Sequence, residues 1–255
     1  MTPVTAPQRL AGRVAVVTGA SSGIGAATAR ACAAEGARVA LLSRNRDALA
    51  DLERELDGAG LAIPTDVSDP EAVREAVDRA EAELGAIDAV VNSAGIAWPT
   101  PLAELDDRSW KETLDVNLSG SFYVAREAGL RMTGSGRSGA IVNLGSELSV
   151  LGMGMFVAYC ATKAGLIGMT KALAAELAPL VRVNIVCPGP VQTPMYENAH
   201  DSFDDPAGAY ATTLARVPLG RVGTPAEVAQ GILYLLADAE WATGTVLHLD
   251  GGTTI

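Results

Sequence analysis

The 255-residue sequence predicts an α/β fold in which a doubly wound parallel sheet of about seven strands carries helices on both faces. Short apolar runs bounded by glycine or polar residues alternate along the chain with longer segments of helical periodicity, which is the pattern of strand–helix–strand units. The first run, residues 13–18, leads directly into a glycine turn and an alanine-rich helix at 26–35. The length suits a single domain that spans residues 1–255.

The remaining elements follow the same alternation. Further strands are predicted at residues 38–42, 60–64, 87–91, 140–144, 182–187 and 244–249. Helices are predicted at residues 46–57, 70–84, 106–132, 157–178 and 228–237. Residues 194–219 are too long for a structureless connection in a compact domain, so we expect a lid with short helices of its own over a pocket.

The turn between the first strand and the first helix has the glycine spacing Gly-x-x-x-Gly-x-Gly. Glycines let a ligand approach the backbone, and the free N–H groups and positive dipole end of a helix attract phosphate. The turn therefore predicts a cradle for the pyrophosphate of a dinucleotide, at the strand ends where Rossmann-type folds bind such ligands. Its residues are Gly19, Ser21, Ser22, Gly23, Ile24 and Gly25.

The end of the second strand indicates which dinucleotide binds. A carboxylate about 20 residues after the glycines would bind the ribose 2′-hydroxyl of NAD, whereas an arginine accommodates the 2′-phosphate of NADP. This chain has Ser43 and Arg44 at that point, and a guanidinium forms a charge-assisted fork with phosphate. We therefore favour NADP(H). NAD(H) stays possible if Arg44 is only a solvated residue at the helix start, and Arg46 could serve equally well.

A tyrosine and a lysine are spaced for acid–base chemistry in the helix predicted at 157–178. Tyr159 and Lys163 are four residues apart and so share one helix face. An adjacent ammonium favours the phenolate and lowers a tyrosine pKa from about 10 toward the working pH. Ser146, just after the strand at 140–144, could hold a substrate oxygen beside the phenol. Because such a pair also occurs by chance, its weight comes from the surrounding motifs.

Together these motifs resemble the short-chain dehydrogenase/reductase family over essentially the whole chain. The match includes the glycine motif at 18–25 and the order Asn, Ser, Tyr, Lys of the family's catalytic residues. The resemblance implies that Tyr159 is the general acid or base, that Ser146 holds the reacting oxygen, and that Lys163 lowers the Tyr159 pKa and binds the nicotinamide ribose. It also implies that Asn117 distorts the helix at 106–132 and holds a water that links Lys163 to solvent.

The same resemblance implies further cofactor contacts at the ends of later strands. Asp66, beside Val67, would bind the adenine amino group. A helix cap is the other interpretation of Asp66, although Ser68 or Asp69 fits a cap better. The remaining implied contacts are Asn92, Ala94, Gly95, Tyr159, Lys163, Pro188, Gly189, Val191 and Thr193.

Four residues are expected to contact the substrate: Ser146, Glu147, Tyr159 and Tyr196. Glu147 directly follows Ser146, where small or hydroxyl residues are frequent in the family. Its carboxylate could face solvent, repel acidic substrates or bind a hydroxyl-rich one. The family builds its substrate pocket in the segment that corresponds to 194–219, and spacing alone does not identify the substrate.

Composition argues against several other classes of function. The net charge, 19 − 30 = −11, argues against a broad nucleic-acid surface. No apolar run approaches the roughly 18 residues of a membrane span, and residues 1–11 contain no hydrophobic signal region, so we expect a cytoplasmic protein with no membrane partner. The three cysteines are widely spaced and form no metal-type pair with either histidine, which predicts reduced thiols and no metal site.

We therefore expect an enzyme, an NADP(H)-dependent oxidoreductase that interconverts a small-molecule carbonyl compound and a secondary alcohol by hydride transfer. The alternatives are a 3-oxoacyl-carrier-protein reductase, against which the acidic lid and net charge argue, and an NAD-dependent alcohol dehydrogenase. A nucleotide-sensing binding protein is the non-enzymatic alternative. The resemblance also implies a homo-oligomer, a tetramer with two-fold symmetry. The apolar run at 232–236 is compatible with a subunit contact and equally with core packing.

Overall fold

The computed structural model describes residues 8–255 and confirms the predicted α/β architecture. Residues 1–7, on which most of the prediction about an N-terminal signal rests, lie outside the described part of the chain. Every predicted strand is present, with its ends shifted by at most two residues. The strands are β1 (Val14–Thr18), β2 (Arg38–Ser43), β3 (Gly60–Pro64), β4 (Ala89–Asn92), β5 (Gly139–Leu144), β6 (Val181–Pro188) and β7 (Val246–Leu249).

The seven strands form one parallel sheet in the order β3-β2-β1-β4-β5-β6-β7. The chain moves outward from β1 to β3, then returns to place β4 against the other side of β1, where Val16 pairs with Val90. The strand order therefore reverses between β1 and β4. Open parallel sheets bind their ligands in the crevice outside the carboxyl ends of the strands at such a reversal.

Helices cover both faces of this sheet. They are α1 (Gly23–Ala34), α2 (Arg46–Glu55), α3 (Pro70–Leu84), α4 (Asp107–Leu114), α5 (Gly120–Gly134), α6 (Val157–Leu177), α7 (Pro194–Asp201), α8 (Pro206–Ala215) and α9 (Pro225–Leu233). The helix predicted at 106–132 is continuous in direction, but a π-helical turn, Asp115–Ser119, separates α4 from α5. The expected short helices of segment 194–219 are α7 and α8.

Two hydrophobic layers enclose the sheet, because neighbouring residues of a strand point to opposite faces. Ala15 and Val17 face the layer that α1 and α9 complete, whereas Val14 and Val16 face the layer of α3 and α5. In the apolar run at 232–236, every residue except Tyr234 is at most 1 % exposed. That run packs into the first layer, so of its two interpretations core packing is the one confirmed.

Two of the sequence-based exclusions can be examined in residues 8–255. No helix there is long and apolar enough to cross a membrane. The same residues contain no group of His, Cys, Asp and Glu side chains that could hold a metal ion.

Candidate active site

A cavity of about 920 Å³ opens at the carboxyl ends of the strands, between the start of α1 and the helices α7 and α8. All but two of the predicted site residues line it. The exceptions are Asn92 and Asn117, which are almost completely buried in the wall behind the cavity. Asn92 was predicted to contact the cofactor. Its side-chain amide instead donates to the Ser121 carbonyl oxygen at 3.1 Å and to Asn143 Oδ1 at 2.9 Å, so this side chain supports the wall.

The glycine turn is closely packed and has no room for side chains at two of its positions. At Gly19, where φ is +65°, an added Cβ would lie 2.9 Å from the Ala94 backbone. A Cβ at Gly25 would overlap the carbonyl oxygen of Gly19. A side chain at Gly19 would therefore push the turn away from the loop after β4, and one at Gly25 would distort the turn itself. Both the turn and the loop line the cavity.

The start of α1 is left open toward the cavity. Ser22 is its N-cap residue, but the Ser22 side chain accepts no hydrogen bond from the first turn. The first turn also carries no acidic residue. The N–H groups and the positive end of the helix dipole are consequently available to an anion, as the binding of a pyrophosphate requires.

The residues at the end of β2 leave a basic group free for the ribose end of a dinucleotide. The Arg44 side chain is 60 % exposed, and among residues 8–255 its only ionic partner is Asp66, with Nη1 4.0 Å from Oδ2. The Ser43 hydroxyl donates to Ser21 Oγ at 2.8 Å, which joins the strand end to the glycine turn. Asp66 does not cap the following helix, because Asp69 accepts hydrogen bonds from the first turn of α3.

The Tyr159 and Lys163 side chains lie beside the end of β5, as their spacing predicts. Both residues are on the first two turns of α6, and Lys163 Nζ is 5.5 Å from the centroid of the Tyr159 ring. Lys163 Nζ donates to the Leu144 carbonyl oxygen at 2.7 Å. Ser146 follows β5 directly, and its hydroxyl accepts from the Leu148 N–H at 3.1 Å, which holds the side chain at the cavity floor.

The pKa values of this pair differ from the sequence-based expectation. We expected Lys163 to hold the Tyr159 pKa below its ordinary value. Burial instead raises the pKa of Tyr159 to about 12, and the neighbouring Ser146 hydroxyl offsets only part of that rise. Burial also lowers the pKa of Lys163 to about 8. Among the protein's own groups, desolvation therefore dominates, and Tyr159 keeps its proton at neutral pH.

Asn117 holds the π-helical turn against the loop after β4. Its amide donates to the Ile96 carbonyl oxygen at 2.9 Å, and its Oδ1 accepts from the Ile96 N–H at 2.8 Å. The amide also donates to the Thr162 hydroxyl of α6 at 3.3 Å. The Asn117 side chain thus ties together three elements that surround Lys163. Sequence reasoning predicted Asn117 but missed Ile96 and Thr162, which have no motif of their own.

Glu147 is buried beside Ser146, with 6 % of its surface exposed, so the interpretation that it faces solvent is wrong. It lines the cavity together with Arg216, a residue that sequence reasoning did not select. Burial raises the Glu147 pKa, and the charge of Arg216 lowers it in part. No pattern in the sequence brings residues 147 and 216 together, since they meet only through the fold of segment 194–219.

His200 of α7 connects this helix to α8 through its side chain. The His200 ring lies 4.2 Å from the Tyr196 ring, centroid to centroid. Its Nδ1 is 2.8 Å from the Tyr196 carbonyl oxygen, and its Nε2 is 3.1 Å from the Thr213 hydroxyl. His200 is therefore a structural residue of the lid segment, and it also lines the cavity.

The chain is similar to proteins of known type over nearly its whole length. Residues 19–254 match a family model described as enoyl-(acyl carrier protein) reductase. D-threitol dehydrogenase of Mycolicibacterium smegmatis is 42 % identical over 97 % of this chain and 95 % of the relative. A 3-oxoacyl-[acyl-carrier-protein] reductase of Thermotoga maritima is 40 % identical over 97 % of this chain and 100 % of the relative. The crystal structure of a short-chain type dehydrogenase/reductase from Mycobacterium marinum superposes with a TM-score of 0.89 at 36 % identity, and 96 % of each chain is covered.

Proposed function

This chain belongs to the short-chain dehydrogenase/reductase family, and from that premise we propose that it is an NADP(H)-dependent carbonyl reductase whose proton donor is Tyr159. Membership makes it an oxidoreductase that interconverts a carbonyl compound and an alcohol with a nicotinamide cofactor. The choice of NADP(H) and the roles of individual residues are the proposal.

The proposed cofactor site runs along the sheet reversal between β1 and β4. The glycine turn and the open start of α1 would hold the pyrophosphate, and Arg44 would bind the 2′-phosphate. Asp66 and Val67 would contact the adenine, and Ala94, Gly95, Val191 and Thr193 the nicotinamide half. When bound, the cofactor supplies the hydride, and the protein supplies orientation and electrostatics.

The chain's own residues would handle the proton. Tyr159 donates its hydroxyl proton to the carbonyl oxygen, which the Ser146 hydroxyl holds in place. Lys163 binds the nicotinamide ribose, and Asn117 positions the elements around Lys163. A Tyr159 pKa raised to about 12 keeps the phenol protonated at pH 7, which is the state a proton donor needs.

One observation carries this proposal. Ser146 follows β5 whereas Tyr159 and Lys163 lie on α6, yet all three line the same cavity as the glycine turn and Arg44. A purely nucleotide-binding protein needs no such group of titratable side chains beside its ligand, and an acid–base enzyme does. Turnover of any carbonyl compound would exclude the nucleotide-sensing alternative.

The test is a parallel titration of the purified protein with NADPH and NADH, for the wild type, Arg44→Ala and Arg46→Ala. We expect NADPH to bind more tightly, and Arg44→Ala to remove roughly 10- to 100-fold of that affinity, as the loss of a charge-assisted phosphate contact does. NADH binding should change little. Arg46 is exposed and does not line the cavity, so Arg46→Ala is the control. Tighter binding of NADH, indifferent to Arg44, would replace NADP(H) by NAD(H) in the proposal.

A 3-oxoacyl-carrier-protein reductase is the second candidate, favoured by the name of the Thermotoga maritima relative. Docking of an acidic carrier protein requires a basic rim, whereas Asp204 and Asp205 line the lid side of this cavity. We expect a 3-oxoacyl thioester to be reduced no faster when it is attached to a carrier protein. A strong preference for the carrier-bound form would favour the second candidate.

We also propose a cytoplasmic homotetramer. The family resemblance supports the tetramer, and so do exposed apolar side chains on three neighbouring helices, Trp110 of α4, Leu130 of α5 and Val157 of α6. The three cysteines are free thiols, which suits a reducing compartment. Light scattering coupled to gel filtration tests the tetramer, since a monomeric mass at micromolar concentration contradicts it.

A further inference from the structure

The carboxylate of Glu147 is buried without a partner. Among residues 8–255 it forms no ion pair and no hydrogen bond, and its Oε2 is fully enclosed. The hydroxyl of Thr253 lies near enough to lower the Glu147 pKa but completes no hydrogen bond with it. A buried polar atom without a partner costs about 1–3 kcal/mol, more if charged, so such groups call for an explanation.

The hydroxyl of Tyr196, on the lid segment, is likewise buried without a hydrogen-bond partner among the residues that the structure describes. The Tyr196 ring is held by His200 and by Tyr210, whose ring lies 6.2 Å away. Its Oη is enclosed and forms no hydrogen bond within the described chain. Thr213 lies close by, but its hydroxyl is already paired with His200 Nε2. The ring is therefore fixed while its buried hydroxyl has no hydrogen-bond partner in residues 8–255.

Glu147 and Tyr196 face one space. Both line the cavity that contains Ser146 and Tyr159. Burial is the main cause of the raised pKa of Tyr159 and of Tyr196, and the charge of Glu147 adds to both, so its carboxylate lies within range of both hydroxyls. Two unpartnered polar atoms from separate elements thus border the place where a substrate on Tyr159 would extend.

We propose that Glu147 and Tyr196 bind hydroxyl groups of the substrate remote from the reacting carbon, so that the substrates are neutral polyhydroxylated ketones and the corresponding polyols. This inference rests on the proposed function and names its substrate class. An alcohol hydroxyl donates to the carboxylate and accepts from the phenol, so it satisfies both orphaned groups. A carboxylate on the substrate has no hydrogen to donate to Glu147, and an alkyl chain would leave both groups unpaired.

The experiment compares two ketones that have the same four-carbon chain. Erythrulose carries hydroxyl groups beside and beyond its carbonyl, and 2-butanone carries none. With NADPH and wild-type protein we expect kcat/KM to be at least 100-fold higher for erythrulose, because a site built to bond hydroxyl groups rejects the analogue that lacks them by large factors. Glu147→Leu and Tyr196→Phe should each lower the ratio of kcat/KM for erythrulose to kcat/KM for 2-butanone roughly tenfold. Glu147→Gln, which keeps a hydrogen-bonding group, should recover part of the loss.

Two control variants separate this effect from general damage to the lid segment. Glu197→Gln lies on α7, and Tyr210→Phe on α8 keeps the ring that packs against Tyr196. Both residues are exposed and neither lines the cavity, so the ratio of the two kcat/KM values should stay at the wild-type value. NADPH affinity and Tm, measured for every variant, report whether the fold is intact.

The outcomes separate this inference from the proposed function. Reduction of neither ketone would overturn the proposed function and the inference with it. Reduction of both ketones at similar rates, a preference that survives Glu147→Leu and Tyr196→Phe, or a preference for 4-oxopentanoate over erythrulose would overturn only the inference.

Discussion

The polar side chains on the two walls of the cavity differ in whether they have hydrogen-bond partners within the protein. The sheet wall consists of the strand ends with α5 and α6, and its Asn117, Asn143 and Lys163 side chains are bonded to the protein itself. The lid wall consists of the turn Glu147–Ser149 with α7 and α8, and there Glu147 and Tyr196 present buried polar atoms that have no partner. Asn92 Oδ1 in the sheet wall also lacks a partner within the described part of the chain, so the contrast is between the bonded groups around Lys163 and the two unpartnered groups of the lid wall.

This difference separates chemistry from selectivity. Internal hydrogen bonds hold the region around the reacting carbonyl group in one geometry. A reaction step requires such a fixed geometry for any substrate. Unpartnered groups gain their bonds only from a substrate of matching polarity, and they penalise one that lacks it. Changes on the sheet wall should therefore affect turnover and stability, whereas changes on the lid wall should affect the choice of substrate.

The largest effect on this comparison is expected from Tyr159→Phe, which removes the proton donor and keeps the ring. We expect kcat to fall by about 10²–10⁴, the range for loss of a positioned acid–base group, while NADPH affinity stays within about twofold. Single-turnover kinetics and a fluorescence titration measure the two quantities. Tyr234→Phe, at a half-exposed tyrosine on the sheet's other layer, is the control. Near-wild-type turnover in Tyr159→Phe would refute the role of the sheet wall.

The next effect is a pH-dependent change in stability from Lys163→Met. Burial lowers the folded-state pKa of Lys163 from 10.5 to about 8. Below pH 8 Lys163 is protonated in both the folded and the unfolded protein. Burial of the charged ammonium then lowers the stability of the wild type by its full amount, on the order of 3 kcal/mol. Between pH 8 and 10.5 the unfolded chain holds a proton that the folded protein lacks, so the penalty disappears as pH rises.

The Tm of Lys163→Met relative to wild type should therefore fall between pH 8 and pH 10. Differential scanning calorimetry at closely spaced pH values measures it. Lys171→Met, at an exposed lysine of the same helix, should show a constant difference. A constant difference for Lys163→Met as well would mean that the sheet wall holds no desolvated ammonium.

A smaller loss is expected from Asn117→Ala. This change leaves the Ile96 N–H and carbonyl oxygen without their side-chain partner, so the free energy of unfolding should fall by about 2 kcal/mol. Urea denaturation measures it, with Asn198→Ala on the exposed face of α7 as the control. An unchanged midpoint would show that the π-helical turn does not depend on this side chain.

The smallest effect is expected from His200→Ala, which unties α7 from α8. The stacking on Tyr196 and the contact with Thr213 are lost, so we expect KM for the preferred ketone to rise a few-fold, while kcat, NADPH affinity and Tm change little. Steady-state kinetics measures it, with Ser202→Ala at the end of the same helix as the control. A fall in kcat as large as that of Tyr159→Phe would remove the distinction between the two walls.

The sequence was most informative about the sheet wall. Strand periodicity, the glycine turn and the spacing of Tyr159 and Lys163 are local patterns, and local patterns survive into the fold. The prediction of a lowered Tyr159 pKa was wrong because burial of the hydroxyl depends on elements far away in the chain. The hydrogen bonds of the Asn92 side chain were not predicted for a similar reason, since its partners Ser121 and Asn143 have no sequence relation to it.

The lid wall was predictable only as a pair of short helices. The environment of Glu147 is set by Arg216, Thr253 and Asp250, which lie roughly 70 to 100 positions further along the chain, and no periodicity links them. Whether a carboxylate after Ser146 points to solvent or into the cavity is decided by packing. Substrate preference belongs to that part of the structure, which explains why motifs named the chemistry and left the substrate open.

The π-helical turn at Asp115–Ser119 sets the phase of α5 relative to α4. A residue added to an α-helix rotates everything after it by about 100°, and the wider turn absorbs that rotation locally. Removal of one residue from this turn would restore regular α-helical hydrogen bonds and keep Val124 and Met132 in their hydrophobic layer, but it would take away the wide turn from which Asn117 bonds Ile96 and Thr162. The number of residues in this turn is therefore fixed by the contacts that the turn makes. We expect single-residue deletions to be tolerated in the exposed loop after α5 and to be lost from residues 115–119, although the two sites are fewer than 25 positions apart.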